Sequence, residues 1–293
     1  MRGRSPRENT LSAIVKSRLA LRRGYMQDIV DALEASAPST PTFVAFPSRM
    51  GLSVYGAEIA ETVVAGSKPT PVASETGFHL GFEGMVPRSV ALRLTDGRWA
   101  ATVAIPGYAV TLSFENGRFE GLNYVALDGR AADVERRTEA SFLVVKLIEA
   151  VRHGRSVLSN WDRAKLFERN AHVALVGPDR SPSSIALAAY VLERQGRLDA
   201  LREFLAGGEP VDAAIPFDVP LLAGWPKRGR PAEQVNTVGR FPLMTAGWAY
   251  VDDDAPSYES LRPLRRHLSP GLWTTFDAEG GGKAAKLVER GLL

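Results

Sequence analysis

Between residues 88 and 127, apolar side chains recur at every second position. They run Val90, Leu92, Leu94, then Ala101, Val103, Ile105, then Val110, Leu112, Phe114, then Phe119 to Leu127. Asp96-Gly97, Pro106-Gly107, Asn116-Gly117 and Asp128-Gly129 separate or close these runs. A period of two puts alternate side chains on one sheet face. Asn-Gly and Asp-Gly supply the positive φ that a type I′ hairpin turn requires. The pattern predicts an antiparallel meander of four or five strands within 77–127, with one face buried. Upstream, Thr42–Phe46 reads as a short β run ended by Pro47. Leu52–Val64 reads as strand, because β-branched residues and glycines outnumber strong helix formers there.

After residue 130 the spacing changes to three and four. Val144, Ile148 and Val151 share a stripe that predicts a helix over Val134–His153, with Gly154 beyond it. Ser159 or Asn160 can cap a second helix running to about Arg169. His172–Val176 reads as a buried strand. A helix over Ser183–Gln195 follows, with Arg197–Leu205 as its hairpin partner after Gly196. Pro210, Pro216, Pro220, Pro226 and Pro231 predict an irregular stretch without helix from Gly207 to Pro231. Short elements are expected around Val238, Trp248, Leu261–His267 and Ala284–Arg290.

The expected fold class is α+β: an antiparallel β-meander region, then a mainly helical region, with a basic amphipathic helix in front. The divisions are a basic helical arm and linker at 1–40, a β-rich domain at 41–130, and a mainly α-helical domain at 131–293.

Charge changes the picture mainly at the start of the chain. The 293 residues hold 36 Lys+Arg and 33 Asp+Glu, a formal net charge of +3. Residues 1–25 carry Arg2, Arg4, Arg7, Lys16, Arg18, Arg22 and Arg23 against Glu8, whereas 26–150 is net acidic. A dedicated DNA-binding domain carries basic charge across its surface, and that is not the distribution here. Asn9 or Thr10 can cap a helix to about Arg23, with Gly24 as the stop and Leu11, Val15 and Leu19 as one stripe. Ala35–Pro41 reads as a linker. The arm lacks the apolar core of a secretory signal, and no stretch reaches the roughly 18 apolar residues of a membrane helix. A cytoplasmic protein is expected, without a membrane span.

Cysteine is absent, which removes thiolate metal sites, disulfides and cysteine nucleophiles. His79, His153, His172 and His267 lie far apart, with no metal-ligand spacing, and no serine sits in a G-x-S-x-G elbow. No catalytic residue, metal site or cofactor is expected. Arg180, Ser181, Ser183 and Ser184 at a helix start form a candidate anion site, because free N–H groups there favour negative charge. They lack a glycine-rich phosphate motif. Tyr250-Val251-Asp252-Asp253-Asp254 resembles the metal-holding turn of polymerases but reads as an acidic surface turn. Lys286–Leu293 resembles the end of a winged-helix recognition helix. Its default reading is a terminal helix docking Leu287, Leu292 and Leu293.

Candidate partner contacts are Lys16, Arg18, Arg22 and Arg23 on the arm, and Trp225, Trp248 and Trp273 beside glycines and prolines. Loop aromatics serve equally as interface anchors and as core plugs. The leading expectation is a non-enzymatic interaction protein (adaptor, assembly component or regulator) that binds another protein. Alternatives are nucleic-acid association through the arm with Arg262, Arg265, Arg266, Lys283 and Lys286, and an enzyme acting on an anionic substrate at 177–184. The sequence leaves the oligomeric state open.

Overall fold

The alternating runs fold as strands. A computed structural model of the chain describes residues 46, 49–66, 68–74, 77–127, 151, 161–176, 180–207, 214–224, 237–251 and 256–293. The expected helices over 9–23 and 134–153 (save Val151, which is helical and buried), the linker 35–41 and most of the run 42–46 lie outside the described residues. All described residues belong to the compact unit Ala45–Leu293.

The strands are β1 (Gly51–Tyr55), β2 (Ile59–Val64), β3 (Thr70–Pro71), β4 (Phe78–Gly81), β5 (Arg88–Leu94), β6 (Trp99–Ala104), β7 (Tyr108–Glu115), β8 (Arg118–Ala126), β9 (Ile215–Pro216), β10 (Thr237–Val238) and β11 (Thr275–Phe276). One sheet has the order β3-β4-β1-β7-β8, a second β11-β6-β5-β2, and β10-β9 form a two-stranded piece. The segment Leu52–Val64 is two strands rather than one. They are split at Gly56, whose φ of +73° leaves a Cβ only 2.0 Å from the Phe114 carbonyl oxygen.

The meander expected over 77–127 is present as two antiparallel hairpins, β5–β6 and β7–β8, but they belong to different sheets. The turn between them explains why. Tyr108 N–H donates to the Ile105 carbonyl at 3.1 Å, and Gly107 has φ +84°. Proline followed by a positive-φ glycine is type II geometry, whose twist splays strands instead of closing a hairpin. Asn116 (φ 49°) and Gly117 (φ 74°) both sit left-handed, as a type I′ turn demands. At Asp96-Gly97 only the glycine does. There Gly97 N–H donates to Leu94 O at 3.0 Å and Leu94 N–H to Arg98 O at 2.8 Å, a three-residue loop with the glycine left-handed.

The two sheets meet at β6 and β8. Thr102 Oγ1 lies 3.2 Å from the Tyr124 hydroxyl, which donates to the Val103 carbonyl at 2.8 Å. Every residue of β6 is buried, so this strand is covered on both faces. A register shift between Ser113 and Phe114 inserts one extra residue into β8. Without it Phe119 and Leu122, three apart, would point to opposite faces. With it both are buried, and Phe119 stacks on Phe114.

The helices are α1 (Trp161–Val176), α2 (Pro182–Arg194), α3 (Leu198–Ala206), α4 (Asp218–Leu222) and α5 (Ala278–Glu289). The expected strand at His172–Val176 is instead the last part of α1. Ala171, Ala174 and Leu175 are buried while His172, Val173 and Val176 are exposed, a spacing of three and four that overrides the β preference of the valines. The hairpin α2–α3 forms as expected, turning at Gly196 with φ +72°. The proline-rich stretch does hold one short helix, α4. Pro220 fits because it lies in the first turn, where backbone N–H groups lack intrahelical acceptors.

The C-terminal segment completes the second sheet. β11 pairs with β6, and α5 lies against it. Ala284, Ala285 and Val288 are buried, and an added Cβ at Gly281 would stand 2.0 Å from the Trp99 ring. Of the leucines expected to dock, Leu293 is buried, with Ser89 Oγ donating to its carbonyl at 2.5 Å. Leu287 is half-buried and Leu292 is exposed. Among the described residues no helix is long and apolar enough to cross a membrane.

Candidate functional site

Ser181, Ser183 and Ser184 are buried and bonded to one another. Ser184 N–H donates to Ser181 Oγ at 3.2 Å, and Ser181 N–H donates to Ser184 Oγ at 2.9 Å. This reciprocal capping box turns the hydroxyls onto the backbone of their own helix start. Arg180 is half-buried beside it.

Trp248 and Trp273 fill the core, at 1 % and 0 % exposure. The Trp248 indole N–H donates to Thr274 Oγ1 at 2.9 Å, and the Trp273 indole N–H to the Glu120 carbonyl at 3.3 Å. Lys16, Arg18, Arg22, Arg23 and Trp225 lie outside the described residues, as do Asp252, Asp253 and Asp254. The Tyr250 hydroxyl bonds Glu193, and burial together with that carboxylate pushes its pKa up to about 12.

The basic residues near the end of the chain are partly gathered. Arg266 Nε (3.2 Å) and Lys283 Nζ (3.1 Å) both point at His267 Nε2, while Nδ1 lies 3.1 Å from the Asp277 carboxylate. A ring that donates from Nδ1 to that carboxylate offers a single lone pair at Nε2, which accepts from one of the two cations at a time. Lys283 also pairs with Glu279 at 2.6 Å, which holds the Glu279 carboxyl below its ordinary range. The Gly280 N–H, then His267, do the same for Asp277. Lys283 is thus matched by a carboxylate, and contacts through His267 tie α5 to the turn Arg262–His267. Arg265 is turned inward to the Val251 carbonyl at 3.1 Å.

Two polar constellations escaped the sequence reading. Ser53 and His79 are cross-strand neighbours on β1 and β4, with Nδ1 2.9 Å from the hydroxyl. Both are buried, and His79 packs edge-on against Tyr55. The second centres on Asp218, at 0 % exposure. It accepts from the Tyr190 hydroxyl (2.8 Å), Leu243 N–H (2.8 Å) and Met244 N–H (3.2 Å). Burial pushes its pKa up to about 6, against the pull of these donors. Tyr190 is raised well above its ordinary value, by burial and then by Asp218. Gly247 makes room for the cluster, since a Cβ there would lie 2.2 Å from the Tyr190 hydroxyl. The only signal was a lone carboxylate inside the apolar run Ile215–Leu222. Among the described residues no three His, Asp or Glu side chains come together as metal ligands.

Unlike these clusters, an apolar loop faces outward. In the loop between β4 and β5, Met85 and Val86 are 66 % and 67 % exposed. The loop is braced from beneath. Arg88 donates from Nη1 to the Ala65 carbonyl at 2.9 Å and from Nη2 to the Glu83 carbonyl at 3.2 Å. Gly84 takes φ +102° at the bend. Beside the loop is a cleft of about 370 Å³ lined by Arg49, Thr70, Gly81, Phe82, Glu83, Gly84 and Met85. The sequence signal was an apolar pair between Gly84 and Pro87.

The described residues define an α+β fold with two main sheets, internal polar clusters and an apolar loop displayed to solvent. No family model, curated protein or solved structure matches the chain.

Proposed function

We propose that the protein is a non-enzymatic interaction protein, an assembly component of the cytoplasm that binds another protein. The observation that supports this is the outward display of Met85 and Val86 on the loop that Arg88 braces. Neighbouring exposed apolar residues beside a cleft mark interaction surfaces more often than isolated ones do. The acid–base groups nearest to catalytic patterns, Ser53–His79 and Tyr190–Asp218, are buried and bonded to each other, so they support a structural role. The N-terminal arm with Lys16, Arg18, Arg22 and Arg23 belongs to the proposal as a second contact that steers charged partners.

The test uses full-length protein purified at low salt without nuclease. Its mass by light scattering and its 260/280 nm absorbance ratio are compared with those of the double variant Met85→Asp, Val86→Asp. The expected result is an assembly heavier than the 31.7 kDa chain, with a protein-like ratio, that the variant loses at unchanged melting temperature. A high ratio shed by salt would replace the proposal with nucleic-acid binding, because phosphate contacts weaken steeply as counterions compete. An assembly that persists in the variant would remove the loop from the proposal.

A further inference from the structure

The surface around Met85 pairs features that would normally be divided between two partners. It has an apolar projection, Met85 and Val86, and next to it a cleft with Phe82 at its wall. It also has a cation, Arg49, and an anion, Glu83, lining the same cleft. Both are exposed, and no ion pair among the described residues engages either. A two-fold contact requires a patch that complements itself, so that if residue i meets j, then j meets i. A projection beside a cleft meets that requirement, and so does a cation beside an anion that do not pair with each other.

We infer that the loop between β4 and β5 docks onto a second copy of this chain, Met85 and Val86 of each entering the cleft of the other while Arg49 of each faces Glu83 of its partner. This rests on the interaction reading above and names the occupant of that surface. The contact runs through side chains. The adjoining sheet edge is β3, only two residues long, and its Pro71 has no N–H with which to extend the sheet. Arg88 keeps the loop in place before the copies meet, which lowers the ordering cost of association.

The experiment is sedimentation equilibrium of the full chain over a wide concentration range, with Arg49→Glu, Glu83→Arg and the double variant Met85→Asp, Val86→Asp. Wild type should reach twice 31.7 kDa. Each single charge reversal places like charges across the two-fold twice and should weaken the dimer by on the order of tenfold or more. An equimolar mixture of the two reversals should dimerise again, because each chain then supplies the charge the other lacks. A wild type that stays monomeric throughout would overturn the inference, as would a mixture that fails to recover. If the native assembly holds a different chain and is lost in the Met85/Val86 variant, the second-copy inference falls and the interaction reading stands. If the assembly survives in that variant, the second-copy inference falls and the loop drops out of the interaction reading.

Discussion

The irregular last third of the chain and the regular β region use apolar residues in opposite ways. Trp248 and Trp273, set among prolines and glycines, lie in the deepest part of the core. Met85 and Val86, in a short loop between well-formed strands, face solvent. Regular strands bury their apolar faces by periodicity alone, so a loop between them is free to display side chains. A segment poor in regular elements has no such periodicity. It holds its place by plugging large rings between sheet and helix and by meeting its backbone groups one at a time. Thr274 shows this, donating from Oγ1 to the Pro242 carbonyl at 2.7 Å while accepting from the Trp248 indole.

The largest effect that could break this contrast is at Trp273. Replacing it with alanine should cost about 3–5 kcal/mol, measured by urea unfolding. A cost like that of an exposed residue would mean the segment does not anchor the core. Asp218→Asn comes next. An asparagine sets its NH2 donor against either the Leu243 N–H or the Met244 N–H, because these donate to different oxygens of Asp218, at about 2 kcal/mol. The same variant tests pH dependence. The Asp218 pKa is raised from 3.8 to about 6, so its proton is held more tightly in the folded chain than in the unfolded one. Wild-type stability from this group is therefore full below about pH 4 and is lost as pH rises through about 6, a span worth about 3 kcal/mol. The wild-type-minus-variant difference should fall over that window. A flat difference would show that Asp218 does not titrate there.

Gly281→Ala should cost about 1–3 kcal/mol, because the new methyl meets the Trp99 ring and α5 must lift from β6. Trp99 fluorescence in the folded protein should report that movement. The smallest effect is expected at the other pole of the comparison. Met85→Asp with Val86→Asp should change unfolding free energy by less than about 0.5 kcal/mol per site. A larger loss would place the loop among the core contacts and leave the outward display without meaning.

The hairpins were legible because their information is local. Alternation over six to nine residues and the turns at Asp96-Gly97 and Asn116-Gly117 specify neighbours along the chain. The α2–α3 hairpin was legible for the same reason, through Pro182 at the helix start and Gly196 at the corner. His172–Val176 was misread because a five-residue apolar run fits either period, and packing against α2 chose between them. Of the candidate site residues, the serines proved local and self-contained, whereas the tryptophans could not be placed inside or outside from sequence alone.

The α+β character, the positions of most strands and the paired helices are written locally, because propensity, periodicity and turn chemistry act within a few residues. Tertiary structure decided which sheet each hairpin joins, that β1 runs parallel to β7, and that β11 closes the second sheet from the far end of the chain. It also decided that Asp218 is buried and Met85 is not. Burial is a property of what arrives from elsewhere in the chain. Tyr190 reaches Asp218 across twenty-eight positions and Trp273 reaches Glu120 across 153, and no local pattern encodes those meetings.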